Sequence, residues 1–121
     1  MKRVALHMEK GKEGESLASS YLGKKGFDVK MMNWRSGHHE IDIIATRDGI
    51  IHFIEVKTRH SLEFGYPEES VTKKKFNNMT KAACAFLSNH EECLKIQYDI
   101  LSILRMDGKP IEYFLIEDVY M

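Results

Sequence analysis

The chain has 121 residues, with 18 Lys and Arg offset by 18 Asp and Glu, and two cysteines. That length suits one domain with a real core, and zero net charge argues against a simple polycation that coats nucleic acid. Apolar runs of only a few residues argue against a membrane span, and Lys2-Arg3 has no apolar stretch behind it of the kind a signal peptide needs. Two cysteines without a secretory signal read as reduced thiols, so the cytoplasm is the expected compartment.

Charge is unevenly spread. Residues 1–35 hold eight Lys/Arg against four Asp/Glu, and residues 36–72 hold three against seven. Basic flanks around an acidic centre suit a cation held between phosphate-contacting surfaces, although solvated faces of cancelling sign give the same count.

The elements follow in chain order. Leu17, Ala18, Tyr21 and Leu22 form the apolar stripe of a helix from about Met8 to Lys25, stopped by Gly26. Phe27 to Arg35 is strand-like, Ser36-Gly37 a turn, and Glu40 to Thr46 a strand. Arg47-Asp48-Gly49 is a hairpin turn into the strand Ile50 to Thr58. His60 to Ser70 is a loop. Thr72 reads as the N-cap of a helix to about Asn89, with Phe76, Met79, Ala83, Phe86 and Leu87 as its buried stripe. Leu94 to Met106 is a strand beginning beside Cys93, Asp107-Gly108 a turn, and Ile111 to Ile116 the last strand. Each helix has one apolar stripe to bury, so a mixed sheet flanked by helices is predicted, in the order α-β-β-β-α-β-β. The second helix is the crossover that lets the fourth strand run parallel to an earlier one.

The chemistry concentrates between Glu40 and Arg59. Strand alternation puts Ile51, Phe53, Glu55 and Lys57 on one face, with His52, Ile54 and Val56 on the other. The Asp-Gly turn makes the two strands antiparallel, which brings Asp42, early in the first, beside Glu55, late in the second. Two carboxylates about 4 Å apart repel by roughly 4 kcal/mol at an effective dielectric of 20. A lysine offsets part of this, and a hard divalent cation such as Mg²⁺ or Mn²⁺ offsets more. Asp, Glu and Lys so spaced fit metal-assisted phosphodiester hydrolysis, with Lys57 orienting water or steadying charge on phosphate. The competing reading is a structural Glu–Lys pair on a wet sheet face. Glu15 lies on the face of Ala18 and Leu22, at i+3 and i+7, and so points toward the sheet, unless it only sits at the stripe's edge.

Outside this stretch, Lys73-Lys74-Lys75 opens a helix, where the macrodipole disfavours cations. The cluster is either a phosphate contact, with Lys74 and Lys75 as candidates, or a solvated run. Arg59 follows the charged strand and either contacts phosphate or pairs with Glu68 or Glu69. His38-His39 point to opposite faces and so do not chelate one ion together. Trp34 reads as core rather than as a base-stacking ring.

The ordered set Gly11-x-x-Gly14-Glu15-x-x-Ala18-x-x-Tyr21-Leu22-x-x-x-Gly26-Phe27, Asn33-x-Arg35, Glu40-Ile41-Asp42-Ile43-Ile44 and Phe53-x-Glu55-Val56-Lys57-x-Arg59 resembles a small bacterial YraN-like family. So does its continuation through Phe64-Gly65-x-Pro67-Glu68-Glu69-x-Val71-Thr72-x-x-Lys75, Ala82-Ala83-x-x-Phe86-Leu87 and Tyr98-Asp99-Ile100, over almost the whole chain. That family is similar to Holliday-junction resolvases. The resemblance implies a PD-(D/E)XK nuclease-like, restriction-endonuclease-like core with a mixed sheet flanked by helices.

By the same resemblance, Asp42 is the motif aspartate, Glu55 and Lys57 are the (D/E)XK pair, and Glu15 is the glutamate of the first helix. The carbonyl of Val56 completes a metal shell, and Lys75 matches the family pattern. Ile41 stands where the strict motif has proline. The implied partner is nucleic acid, DNA first, the implied cofactor is Mg²⁺ or Mn²⁺, and the assembly of related two-strand nucleases admits a homodimer. A binding module that keeps the fold without cleaving is the alternative.

Overall fold

The computed structural model describes residues 2–63, 65–88 and 95–120, with side chains from Glu13 onward. Phe64, Asn89, Cys93 and Leu94, named above in motifs or at element ends, lie outside the described residues. The elements are helix α1 (Lys2–Lys24), strands β1 (Asp28–Ser36), β2 (His39–Arg47) and β3 (Ile50–Arg59), a short 3-10 turn (Pro67–Ser70), helix α2 (Lys73–Ser88), and strands β4 (Lys95–Leu104) and β5 (Glu112–Ile116). The strands form one sheet in the order β1-β2-β3-β4-β5. Among the described strands only β3 and β4, joined through α2, pair parallel. This is the predicted order and a mixed sheet flanked by helices, consistent with a restriction-endonuclease-like fold.

The differences from the sequence reading are at element ends. Helix α1 begins at Lys2, six residues earlier than the stripe requires. It ends as foreseen: Gly26 adopts φ +89°, and Phe27 N–H reaches back to the Leu22 carbonyl at 3.0 Å. Strand β5 begins at Glu112, beyond Pro110, which has no N–H to give to a ladder. Part of the predicted loop is the 3-10 turn, opened by buried Pro67.

Two cores sandwich the sheet. On one face α1 buries Ala18 and Leu22 against Ile43, Ala45, Ile54, Leu101 and Ile103. On the other, α2 buries Phe76, Met79, Ala82, Ala83 and Phe86 against Ile41, Ile44, Ile51 and Phe53. Each fully buried large apolar side chain contributes about 1.5–3 kcal/mol. Trp34 is core, as read: its ring meets Phe86 edge-to-face at 5.3 Å. Tyr21 stacks on Tyr113 at 4.6 Å and so ties α1 to β5. Among the described residues no helix is long and apolar enough to cross a membrane.

One irregularity positions everything that follows. Ile41 and Ile43 are two residues apart in β2 yet pack on opposite faces of the sheet. The same holds for Trp34 and Met32 in β1. Their register, Trp34 opposite Ile41 and Met32 opposite Ile43, frames Asn33 and Asp42 as the residues between. Asn33 takes φ +54°, a left-handed conformation that asparagine tolerates and a β-branched residue does not. Both strands therefore change face at the position that carries Asp42.

Candidate functional site

The β2–β3 ladder runs from Arg47 opposite Ile50 to Ile43 opposite Ile54, where regular pairing stops. Beyond it the Asp42 carboxylate takes the place of a backbone acceptor: Val56 N–H donates to Asp42 Oδ2 at 2.8 Å. Asp42 thus points sideways into the gap between the diverging strands. Glu55 lies on the adjacent strand, close enough for its charge to act on Asp42. The hairpin geometry read from Asp48-Gly49 has this result.

Burial is the main reason that the Asp42 carboxyl is raised from 3.8 to about 7, with the charges of Glu55 and then Glu40 adding to it. The bond from Val56 N–H, which favours the charged form, only partly offsets them. Asp42 therefore holds its proton to near neutrality. Glu40 is engaged at the rim with Arg35, at 3.0 Å.

Lys57 follows Glu55 on the same face, and its Nζ lies 3.2 Å from Glu55 Oε1. Both side chains are mostly buried. Lys75 comes to this pair from the first turn of α2. Its pKa is held below the usual lysine range, first by Lys57 donating to its neutral amine and then by the repulsion of the Lys57 charge. Glu55 opposes this, and Arg59 adds to it. Thr72 caps the helix, with its Oγ1 accepting from Lys75 N–H at 3.3 Å. Asp42, Glu55, Val56, Lys57 and Lys75 are thus brought together, with Arg59 at the end of the same strand. Lys74 is exposed on the same helical turn.

Glu15 stands apart. Its Oε1 accepts from Asn33 Nδ2 at 2.5 Å, so it reaches the left-handed residue that faces Asp42 across β1. It approaches from the α1 side, where a β-carbon on neighbouring Gly14 would lie in ordinary contact with Thr58. Among the described residues Asp42, Glu55 and Glu15 do not meet as a three-carboxylate cluster.

Sequence reasoning missed a second polar cluster. His52 and Asp99, 1% and 0% exposed, sit on β3 and β4. Their Nδ1 and Oδ2 atoms are 2.6 Å apart. Asp99 Oδ1 accepts from Gln97 Nε2 and from Asp118 N–H, each at 3.0 Å. With Glu117, these residues offer ligand atoms within 4.8 Å of one another. Glu117 is paired with Arg47, whose guanidinium lies 4.0 Å from the centre of the Phe27 ring. The signal available in the sequence was one acid inside an otherwise apolar strand, at Asp99. Its partner is fixed only by the β3–β4 register.

Comparison with known proteins agrees with the motif reading. The profile described as "Uncharacterised protein family UPF0102" matches residues 14–103. A UPF0102 protein of Chloroherpeton thalassium is 40% identical over 118 residues, covering 91% of this chain and 92% of its own. One from Syntrophomonas wolfei is 42% identical over 105 residues, covering 86% and 91%. One from Chlorobium limicola is 44% identical over 113 residues, covering 88% and 85%. The chain belongs to the UPF0102 family, the YraN-like family that its motifs resemble.

Proposed function

We propose that the protein is a metal-dependent nuclease acting on DNA or structured nucleic acid. The observation that carries this reading is the half-buried Asp42–Glu55 carboxyl pair with Lys57 against it. Two adjacent carboxyl groups, one of them held protonated to near neutrality, form an oxygen donor set that suits a hard divalent cation. Asp42, Glu55 and the Val56 carbonyl would hold Mg²⁺ or Mn²⁺. Such an ion supplies Lewis acidity and a bound water of lowered pKa.

The chain's own groups do the rest. Lys57 donates to the attacking water or to a phosphoryl oxygen and steadies the negative charge that develops there. Lys75, pressed against Lys57, places a second donor on the same phosphate. Arg59 and exposed Lys74 extend the basic track along the backbone, where contacts position nucleic acid without reading its sequence. Glu15 holds Asn33 and through it supports the strand opposite Asp42, a more distant role than direct ligation.

The test is incubation with branched, single-stranded and duplex DNA in Mg²⁺ or Mn²⁺, beside Lys57→Ala and Asp42→Asn. Cleavage by the wild type and not by the variants is the expected result. Binding without cleavage under every metal would leave the second reading, a non-cleaving nucleic-acid- or protein-binding module on the same fold. Zero net charge favours a homodimer or a partner for gripping a polyanion in either case.

A further inference from the structure

A cavity of about 450 Å³ opens beside the candidate site, with Tyr66 and Glu68 on one wall, Ser102 and Leu104 at its floor, and Glu112 and Phe114 on the other wall. Its place follows from the sheet register. Lys57 pairs with Ser102, which pairs with Phe114, and Arg59 pairs with Leu104, which pairs with Glu112. Paired residues share a face. The cavity therefore lies on the Lys57 face of the sheet, one to two strands away, at the same end of β3 and β4.

Tyr66 and Phe114 are 51% and 60% exposed, unusual for rings with no packing duty in either core. Neither ring stacks on another aromatic side chain among the described residues. The polar lining is the carboxylates of Glu68 and Glu112 and the hydroxyls of Ser102, Tyr66 and Tyr113, with no Lys or Arg. Such a lining repels phosphate and accepts hydrogen bonds from N–H groups. The ligand that offers a flat π-face to the rings and an amino edge to carboxylates, while its phosphate lies toward Lys57, Lys75 and Arg59, is an unpaired nucleobase.

We infer that this cavity receives an unstacked base, of amino-bearing type, from the strand whose phosphodiester lies at Lys57. The inference rests on the nuclease reading and gives it a substrate feature: a bulge, branch or single strand rather than continuous duplex. Removing a base from a duplex stack costs a few kcal/mol, so an already unpaired base is favoured.

The experiment measures binding of the full chain, by fluorescence anisotropy in Ca²⁺. The probes are a fully paired duplex and the same duplex carrying a three-nucleotide dC or dT bulge. Tyr66→Ala and Phe114→Ala should each weaken bulge binding about tenfold, the scale of one lost base stack, and leave the paired duplex unchanged. Tyr66→Phe, which keeps the ring, should retain wild-type affinity. Glu68→Gln with Glu112→Gln should narrow the preference for the dC over the dT bulge. Both rings are exposed, so an unchanged melting temperature separates these effects from misfolding. Equal loss on paired and bulged DNA, or no loss at all, overturns the base pocket alone. A protein partner's side chain as the true occupant would give that second outcome. No binding to any probe overturns the pocket and the nuclease reading together.

Discussion

The molecule buries two acid clusters in strands, and they are built on opposite principles. Every hydrogen-bond partner of Asp99 is complementary: His52 and the Gln97 amide at the side chain, and Asp118 N–H from the C-terminal segment, while the nearby Glu117 carboxylate is answered by Arg47. The charges that act on Asp42 are those of two further carboxylates, and among the described residues the one group that donates to Asp42 itself is a backbone N–H, although Lys57 pairs with Glu55 and Arg35 with Glu40. Complemented acid behaves as a fastener, since Asp99 pins the segment after β5 to β4. Acid facing acid is a standing cost to the fold, relieved only by a proton or a cation. The contrast separates structure from candidate chemistry in one sheet.

Asp99→Ala breaks the comparison most forcefully. It strands His52 in the core and frees the Asp118 amide, for an expected loss of about 3–5 kcal/mol in urea denaturation, with no response to Mg²⁺.

Asp42→Asn should do the reverse. In the wild type, a carboxyl raised to about 7 from 3.8 makes the folded state hold a proton that the unfolded chain releases. The stability that this provides is complete below about pH 4 and lost as pH rises to about 7, a drop of at most on the order of 4 kcal/mol. Melting temperatures across pH 4–8 should show the decline in the wild type and a flatter profile in Asp42→Asn. Mg²⁺ at pH 8 should raise the wild-type value and leave the variant unmoved.

Lys57→Ala should lower cleavage about a hundredfold, roughly 2.7 kcal/mol, while melting is little changed. Lys75→Ala, at the exposed end of the cluster, should cost only a few-fold in cleavage, less than about 1 kcal/mol. It should also weaken the dependence of DNA binding on salt, measured as the slope of affinity against ionic strength. A Lys75 effect as large as that of Lys57 would mean that the two lysines act as one unit.

Much of this was legible in the sequence. The periods of Ala18–Leu22 and Phe76–Phe86 fixed which helix faces are buried, and Asp48-Gly49 fixed the pairing that sets Asp42 against Glu55. Strand alternation, however, puts Ile41 and Ile43 on one face, and the structure does not. The change of face depends on Asn33 at φ +54°, a conformation that its residue type permits but does not announce. The His52–Asp99 pair was hidden because it needs the parallel register across a helix crossover, a long-range fact that no local pattern carries. The approach of Lys75 to Lys57 was equally invisible, since it depends on how α2 docks after the 3-10 turn.

The bond from Val56 N–H to Asp42 Oδ2 gives the site a resident spectroscopic probe. Most strand amides donate to carbonyls that do not titrate, so their resonances stay still with pH. The Val56 amide donates to the one raised carboxyl among the described residues. In a ¹⁵N-labelled sample its cross-peak should move through a single titration and shift again when a cation is added. The protonation and loading of the candidate site can then be followed without a substrate, an inhibitor or an assay for cleavage.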